Sequence, residues 1–375
     1  MTSTTQERYH RQLILQGFGP DAQDALTKSK VLVIGAGGLG CPVLQYLVAA
    51  GVGTIGIVEN DKVSLSNLHR QVLYDTTDVG RLKIEVAAEK LRFINPDVRI
   101  VCYPIYLDKT NSLAVIMEYD VIVDCTDNFS TRYMVNDACI ITKKPLVYGA
   151  VSEFEGQVAV FNVEGEESKR SANYRDIFPE QPKSGEVMNC AEAGVLGVLP
   201  GIIGSLQATE VIKLITAKGD VLINQLLTYN ALKNRMNVFK YGFNKNATVM
   251  LPTTAEAFLK MEYDDTCIVD NAPYGIDVFI MEQLIKENNA TIIDVREPHE
   301  LPLITQYNHH KIPLAQLQAR LPEFENRAII FICQSGARSL QAAEMATAYF
   351  ANEQRFHSLH GGVKQLISLS ESKSL

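Results

Sequence analysis

A short apolar strand that runs into a cluster of glycines most constrains what this chain can fold into. Residues 31–34 are aliphatic, and an apolar helical pattern from Leu39 to Ala50 follows the glycines and stops at Gly51. The clustered glycines are Gly35, Gly37, Gly38 and Gly40. A strand, a glycine turn and a helix in this order predict a βαβ unit whose helix N-terminus can bind a phosphate group.

The pattern of strands and helices continues along the first two thirds of the chain. Further strands are predicted at 54–59, 98–102 and 121–125, with helices at 81–93 and 108–118. Alternating strands and helices predict a parallel, doubly wound α/β sheet of the Rossmann type. Three later strands, which we expect to extend the sheet in antiparallel fashion, are predicted at 157–162, 224–230 and 235–241. A long helix is predicted at 201–217, and the polar segment 164–188 is predicted to be a mobile crossover loop.

Domain organisation follows from a break in this pattern. Residues 242–275 are weakly patterned and predict a linker between a first domain at 1–241 and a second at 276–375. The second domain is predicted to be a smaller α/β unit, with helices at 281–288 and 336–350 and strands at 291–295 and 328–333.

Composition excludes several functional classes. The 375-residue chain carries 35 Lys and Arg against 43 Asp and Glu, a net charge of −8, which argues against a nucleic-acid binder. No apolar run approaches about 20 residues, so no transmembrane helix is predicted. The first ten residues are polar, so no secretory signal is expected and we expect a cytoplasmic protein without a membrane partner. The seven cysteines form no C-x-x-C pair and predict no disulfide framework.

Charged and amide side chains follow the predicted strands of the first domain. Glu59 ends the second strand, Asn67 and Arg70 come soon after it, Lys83 lies on the next helix, and Asp127 closes a later strand. Because carboxyl ends of parallel strands meet at one edge, these groups are expected to surround a nucleotide triphosphate. Arg and Lys would neutralise phosphate oxygens, and Asp127 would hold Mg²⁺. A glycine turn alone equally suits a NAD-dependent dehydrogenase, which stays an alternative.

The order of motifs resembles the MoeB/ThiF family, relatives of the ubiquitin-activating enzymes. The resemblance covers residues 7–240 and rests on Arg8–Gln12, the GAGGLG turn, SNLHRQ, Lys83, CTDN at 125–128 and the segment that begins at Cys190. It implies ATP and Mg²⁺ as cofactors and a homodimer in which Arg11 reaches the partner's ATP. The residues that the turn and the resemblance assign to the nucleotide are Gly35, Gly37, Gly38, Gly40, Glu59, Ser66, Asn67, Leu68, His69, Arg70, Lys83, Asp127 and Asn128.

The chain departs from that family at two places. Glu59 stands where the family usually has Asp, although Glu also accepts a ribose hydrogen bond. The family generally has a zinc site of four thiolates, whereas the matching positions here are Asn173, Asp176, Ala247 and Met250. No thiolate is present at them, so zinc is predicted to be absent.

A second candidate site lies in the C-terminal domain. Cys333 ends a predicted strand and opens a helix, a setting that lowers a thiol pKa, and Arg338 completes a C-x4-R spacing. The segment 276–367 resembles a single-domain rhodanese, which implies that Cys333 carries a persulfide. Asp294 and Arg296 are expected to orient the loop. Gln334 replaces a frequent Arg, and the aromatic residue usual after Gly361-Gly362 is missing.

The two resemblances together imply one reaction sequence. ATP adenylates the C-terminal glycine carboxylate of a small ubiquitin-like sulfur carrier ending in Gly-Gly, and sulfur from a persulfide donor then gives a thiocarboxylate. Such products serve molybdopterin, thiamine or tRNA thiolation, and the molybdopterin-synthase type is favoured. Cys190 has either a covalent role with the carrier or a packing role at a helix start. A non-catalytic carrier-binding scaffold is the other alternative.

Overall fold

A computed structural model of the chain describes residues 3–165, 169–182, 194–244, 251–263, 274–288, 290–324, 328–334, 336–350, 355–363 and 365–366. The described residues divide into two compact units, one up to residue 263 and one from residue 274. Each unit has its own sheet and its own hydrophobic clusters.

The first unit is built on an eight-stranded sheet of order β3-β2-β1-β4-β5-β6-β7-β8. The first five strands in that order are parallel, and the last three are antiparallel. The predicted mostly parallel sheet with an antiparallel extension is therefore confirmed. The strands are β1 (Lys30–Ile34), β2 (Thr54–Val58), β3 (Arg99–Tyr103), β4 (Val121–Asp124), β5 (Leu146–Ser152), β6 (Glu155–Phe161), β7 (Gln225–Asn230) and β8 (Arg235–Lys240).

Helices cover this sheet on both faces, as expected for parallel strands joined by crossovers. Two hydrophobic clusters lie on either side of β1, because alternate strand residues face opposite ways: Val31 and Val33 enter one cluster, Leu32 and Ile34 the other. The helices are α1 (Ser3–Arg8), α2 (His10–Leu13), α3 (Gly19–Lys28), α4 (Gly40–Ala50), α5 (Lys83–Ile94), α6 (Ser112–Met117), α7 (Phe129–Thr142), α8 (Tyr174–Ile177), α9 (Val198–Thr216) and α10 (Ala255–Lys260).

The long helix α9 begins at Val198, three residues earlier than predicted. Pro200 falls in its first turn, where the missing N–H has no intrahelical acceptor in any case. By length and composition α9 could cross a membrane. It instead packs against α3, α4, β5 and β6, which is the position of a core helix. Its Gly204 lies against the turn before α4, where a Cβ would come 2.5 Å from the Leu39 carbonyl oxygen.

The structure differs from two of the expected loops. Within the predicted mobile segment 164–188, helix α8 is buried, and Asn173 caps it by accepting a hydrogen bond from the Arg175 N–H. Within the predicted linker 242–275, α10 places Phe258 in the core of the first unit, and Tyr263 joins the same cluster. The first unit therefore extends to residue 263, because these aromatic side chains pack against it.

The second unit has a five-stranded, wholly parallel sheet of order β11-β10-β12-β13-β9. The central strand of this sheet is fully buried, which explains its continuous apolar run. The unit comprises β9 (Gly275–Ile276), α11 (Val278–Asn288), β10 (Thr291–Asp294), β11 (His309–Lys311), α12 (Leu314–Arg320), β12 (Ile329–Ile332), α13 (Ala337–Phe350) and β13 (Phe356–Leu359). The predicted second α/β fold is confirmed.

Candidate active sites

The first site lies where the crossover connections of the sheet change direction, between β1 and β4. Loops leaving neighbouring strands on opposite faces open a crevice at this point. Gly35 follows β1 with a φ of +94°, and a Cβ there would lie 2.8 Å from the Cys125 carbonyl oxygen. A Cβ on Gly40 would come within 2.0 Å of the Gly35 oxygen. Only glycine fits these two positions, so the turn brings its backbone N–H groups against the start of α4.

Glu59 fixes the shape of the glycine turn. Its side chain is buried at the end of β2. One carboxylate oxygen accepts the Ala36 N–H at 3.0 Å, and the other accepts the N–H groups of Asn60 and Asp61, each at 2.9 Å. A carboxylate has about four acceptor positions, so Glu59 retains capacity for a ribose hydroxyl while it holds the turn. The Tyr74 hydroxyl also stabilises the turn, because it donates a hydrogen bond to the Ala36 oxygen at 2.8 Å.

Two cationic side chains lie at the same edge of the sheet. A Cβ on Gly38 would lie 3.6 Å from Cδ of Arg70, whose guanidinium donates to the Ser66 oxygen at 3.1 Å. Lys83, at the first position of α5, is buried and its ammonium contacts the exposed Asp61 carboxylate at 3.1 Å. Asp61 is a residue that sequence reasoning missed. Its separation of 22 residues from Lys83 gave no local signal for the pair.

The remaining candidates between β2 and α5 lie on or directly after a short 3-10 helix, Leu65–Asn67. Leu68 packs against the hydrophobic core, while the His69 ring nitrogen Nδ1 contacts the Ser66 oxygen at 3.0 Å. Asn67 accepts the Arg70 and Gln71 N–H groups through its main-chain oxygen. Leu68 therefore has an anchoring role in the fold, and its neighbours line the edge.

Asp127 and Asn128 follow β4 at the carboxyl edge. Asn128 is the N-cap of α7, with its side-chain oxygen accepting the Thr131 N–H at 2.9 Å. That oxygen already accepts a hydrogen bond within the fold. The amide NH2 group is therefore the part of the Asn128 side chain that could donate to a ligand. Asp127 is exposed. An exposed carboxylate at the same sheet edge as the glycine turn offers the hard oxygen donors that Mg²⁺ prefers, so the residues fit this ion.

A buried ion pair lies beneath this edge. The guanidinium of Arg132 on α7 lies 3.5 Å from the Asp124 carboxylate and donates to the Thr126 oxygen at 3.1 Å. Burial raises the pKa of Asp124, against the opposing effect of Arg132. The pair holds the turn that carries Asp127. Sequence reasoning missed Arg132, because the segment after Asp127 was not recognised as a helix.

Arg11 lies on the short helix α2 and is exposed. Its expected reach to the ATP of a partner subunit stays a prediction. Cys190, Ala247 and Met250 lie outside the described residues.

The second site is formed at the carboxyl end of β12. Cys333 directly follows this strand with its side chain buried, and its Sγ accepts the Gly336 N–H at 3.1 Å. The Ser339 hydroxyl lies 3.6 Å from the same sulfur. Gly362 packs on the loop, since a Cβ there would lie 2.2 Å from the Cys333 oxygen. The sulfur thus lies at the start of α13, where it accepts one main-chain N–H and its thiol faces the Ser339 hydroxyl oxygen.

Asp294 and Arg296 support this loop from the adjacent strand β10. The two side chains are almost fully buried and form a bidentate ion pair, with the guanidinium 2.9 Å from the carboxylate. The remaining guanidinium nitrogen donates to the Gln334 side-chain oxygen at 3.0 Å. The expectation that these residues orient the loop thus has a direct contact to support it.

The corner that carries zinc in the resembled family is held here by polar side chains. Asp137 on α7 accepts two hydrogen bonds from the Arg175 guanidinium, at 2.8 and 2.9 Å, and one from the Tyr263 hydroxyl at 2.8 Å. The Asp176 carboxylate accepts the main-chain N–H groups of Asn173 and Asn244. Among the residues that the structure describes, no cluster of three or more His, Cys, Asp or Glu could hold a metal ion.

Comparison with protein-family models gives two matches. The ThiF family model matches residues 9–249, and the rhodanese-like domain model matches residues 280–368. These ranges contain the first and second candidate sites respectively.

Curated relatives match either the greater part or nearly all of the chain. A sulfur carrier protein adenylyltransferase of Thermus thermophilus is 52% identical over 227 residues, covering 60% of this chain and 84% of that protein. The Mycobacterium tuberculosis protein named probable adenylyltransferase/sulfurtransferase MoeZ is 39% identical over 348 residues, 89% of this chain and 86% of that protein. The adenylyltransferase and sulfurtransferase MOCS3 of Arabidopsis thaliana is 35% identical over 368 residues, 90% and 78% of the two chains.

Solved structures resemble the first unit. The crystal structure of Escherichia coli MccB superposes with a TM-score of 0.57 at 24% identity, covering 65% of this chain and 72% of that chain. At this identity the likeness establishes the fold.

Proposed function

The chain belongs to the ThiF family, and because a rhodanese-like domain follows the ThiF region, we propose that it adenylates a sulfur-carrier protein and then transfers sulfur to it. Both activities appear together in the names of its full-length relatives. The single observation that carries the first activity is the convergence of the glycine turn, Glu59, Arg70, Lys83 and Asp127 on one edge of the sheet.

In the first step a carrier carboxylate attacks the α-phosphorus of ATP, and pyrophosphate leaves. Two anions must approach each other, so catalysis rests on charge neutralisation and positioning. Arg70 and Lys83 supply positive charge to the phosphate oxygens, and the N–H groups of the turn bind them. Asp127 would hold Mg²⁺, which supplies further charge neutralisation when bound. We propose that Arg11 of a second copy completes the site in a homodimer.

In the second step sulfur replaces AMP. The Cys333 thiolate attacks the outer sulfur of a donor persulfide, which forms a persulfide on Cys333 and releases the donor thiolate. The terminal sulfur of Cys333 then bonds to the carrier's acyl carbon as AMP departs. A thiolate that attacks the inner sulfur forms a disulfide with Cys333 and releases the carrier thiocarboxylate, and an external thiol then reduces this disulfide. The attacking thiol is either Cys190 or an external one. If it is Cys190, the Cys190→Ala variant should release the thiocarboxylate only when thiol is added.

The assignment of Asp127 is tested by Asp127→Ala. We expect carrier-dependent ATP–pyrophosphate exchange to fall by roughly 10²–10³-fold, because a group that stabilises developing charge is lost. The exposed position of Asp127 predicts an unchanged fold. Asp97→Ala removes an equally exposed carboxylate before β3, at the opposite edge, and serves as the matched control. Normal exchange in Asp127→Ala would refute the assignment.

We further propose that the carrier ends in Gly-Gly and that the protein acts in the cytoplasm without structural zinc. The side chains of Asn173 and Asp176 contact each other and neighbouring main chain, and neither offers a thiolate. Metal analysis of the purified protein tests the last point. About one zinc per chain would show that other ligands replace the family's thiolates.

A further inference from the structure

Two arginines flank the catalytic loop of the second unit, and each is paired with a carboxylate. Arg296 pairs with Asp294, and both side chains are about 1% exposed. Arg338 pairs with Glu300 through two parallel hydrogen bonds of 2.6 and 2.7 Å. This second pair is more accessible, with side-chain exposures of 24% for Arg338 and 19% for Glu300. The two cations are thus matched by two anions.

Arg338 is close to the reactive sulfur by its place in the chain. It lies between Gly336, whose N–H donates to the Cys333 sulfur, and Ser339, whose hydroxyl lies 3.6 Å from that sulfur. It is therefore the cation that a negatively charged sulfur donor would be expected to meet on approaching Cys333. Glu300 occupies two of its donors in a bidentate geometry that is strong and directional.

The position next to the cysteine adds no charge. Gln334 is neutral, and its side-chain oxygen accepts a hydrogen bond from the buried Arg296 guanidinium. An arginine at 334 would bring a second guanidinium against Arg296, so the support beneath the loop disfavours a cation there. Neutral Gln334 and the Glu300 pair both reduce the positive charge that the described part of the loop offers to an anion.

We propose that Glu300 determines the sulfur-donor specificity of Cys333, by neutralising Arg338 and so disfavouring dianionic donors such as thiosulfate relative to a persulfide. This rests on the sulfurtransferase role proposed for Cys333. With thiosulfate, the Cys333 thiolate forms a bond to the sulfane sulfur as the S–S bond of thiosulfate breaks and sulfite leaves. Cyanide then removes the terminal sulfur as thiocyanate and regenerates the thiolate.

The test uses Glu300→Gln in the full chain, with the thiosulfate:cyanide reaction as the readout. Releasing Arg338 should raise kcat/KM for thiosulfate about tenfold, since a unit charge a few ångströms from a dianion is worth on the order of 1–2 kcal/mol even in high dielectric. The gain should shrink in 1 M salt, where the screening length is about 3 Å. Glu297→Gln removes the same charge from an exposed residue on the segment that carries Glu300 and should leave the rate unchanged.

Two further variants separate specificity from support of the fold. The double variant Glu300→Gln/Arg338→Gln should lose the gain, because the effect acts through Arg338. Glu300→Asp keeps the charge with a shorter side chain and should give a smaller rise, which keeps the proposal testable if Glu300→Gln folds poorly. A fall in the thiosulfate rate of Glu300→Gln, with normal thermal unfolding, would overturn the proposal.

A separate measurement makes the test independent of sulfur transfer. The rates at which iodoacetate and iodoacetamide alkylate Cys333 are compared by mass spectrometry of the Cys333 peptide. Glu300→Gln should raise the ratio of the anionic to the neutral reagent about threefold, because iodoacetate carries one charge where thiosulfate carries two. If Cys333 transfers no sulfur, the thiosulfate rate is absent in every variant, but this ratio still reports on Glu300. An unchanged ratio would overturn the proposal.

Discussion

Glu59 is an example of a residue in the first site that stabilises the local fold through its own hydrogen bonds, without a ligand. Its position at the edge of the sheet could be predicted, because it directly follows an apolar strand. Its three main-chain hydrogen bonds could not, because they join Ala36, Asn60 and Asp61 across two strand ends. The same limit applies to Asn128, whose side-chain oxygen caps a helix that the sequence pattern did not reveal.

We expect Glu59→Gln to destabilise the first unit. The amide NH2 group would face a main-chain N–H, so at least one buried donor loses its acceptor, at a cost of about 1–3 kcal/mol. Urea unfolding measures this loss, and ATP binding should weaken with it. Glu118→Gln, an exposed residue at the end of α6, should change stability by less than about 0.5 kcal/mol. Equal stabilities of the two variants would contradict the anchoring role of Glu59.

Helix α7 was not predicted from the sequence, and its buried polar side chains contact other segments of the first unit. The sequence pattern concealed this helix because its buried side includes Arg132, Asn136 and Asp137, so it lacks a clean apolar stripe. Those polar groups are satisfied by other segments. Asp137 accepts hydrogen bonds from Arg175 on α8 and from Tyr263, which lies 126 residues after Asp137 in the sequence. Hydrogen bonds thus connect α7, α8 and the segment that carries Tyr263.

Removing the central carboxylate tests this connection. Asp137→Ala leaves the buried Arg175 guanidinium without its partner, which should cost about 3–5 kcal/mol. Tyr263→Phe removes one hydrogen bond and should cost about 1 kcal/mol. Arg320→Ala, which breaks an exposed pair with Glu323, should cost about 0–1 kcal/mol.

Chelation gives a second check on the same corner. We expect a strong chelator to leave the unfolding midpoint of the unmodified chain unchanged, since the described connection uses no metal. A chelator-dependent fall in the midpoint would show that a bound metal contributes.

At the scale of the whole molecule, the alternation of strands and helices was enough to predict two α/β units. The exact boundary between the two units could not be predicted from the sequence. Phe258 and Tyr263 belong to the first core, yet they lie in a stretch whose spacing follows neither helix nor strand periodicity. Their burial depends on a groove made by distant residues, which no local pattern contains.

The division into two units predicts separable half-reactions. Cys333→Ala should retain carrier-dependent pyrophosphate exchange, because the residues proposed for adenylation all lie in the first unit. It should lose thiosulfate:cyanide activity and the formation of carrier thiocarboxylate from a persulfide donor. Mass spectrometry of the carrier measures the second loss. Thiocarboxylate formed at the unmodified rate, without free sulfide, would show that Cys333 is not the sulfur donor.

The contact between α9 and the glycine turn has a consequence for how this sequence can vary. Glycine within a helix costs up to about 1 kcal/mol relative to alanine, so drift towards alanine at Gly204 would normally be favourable. Here even one methyl group would collide with the Leu39 carbonyl oxygen. In a saturation mutagenesis library selected for growth, Gly204 should therefore be as intolerant as Gly40. The positions that tolerate no substitution would thus include residues that are not expected to touch substrate.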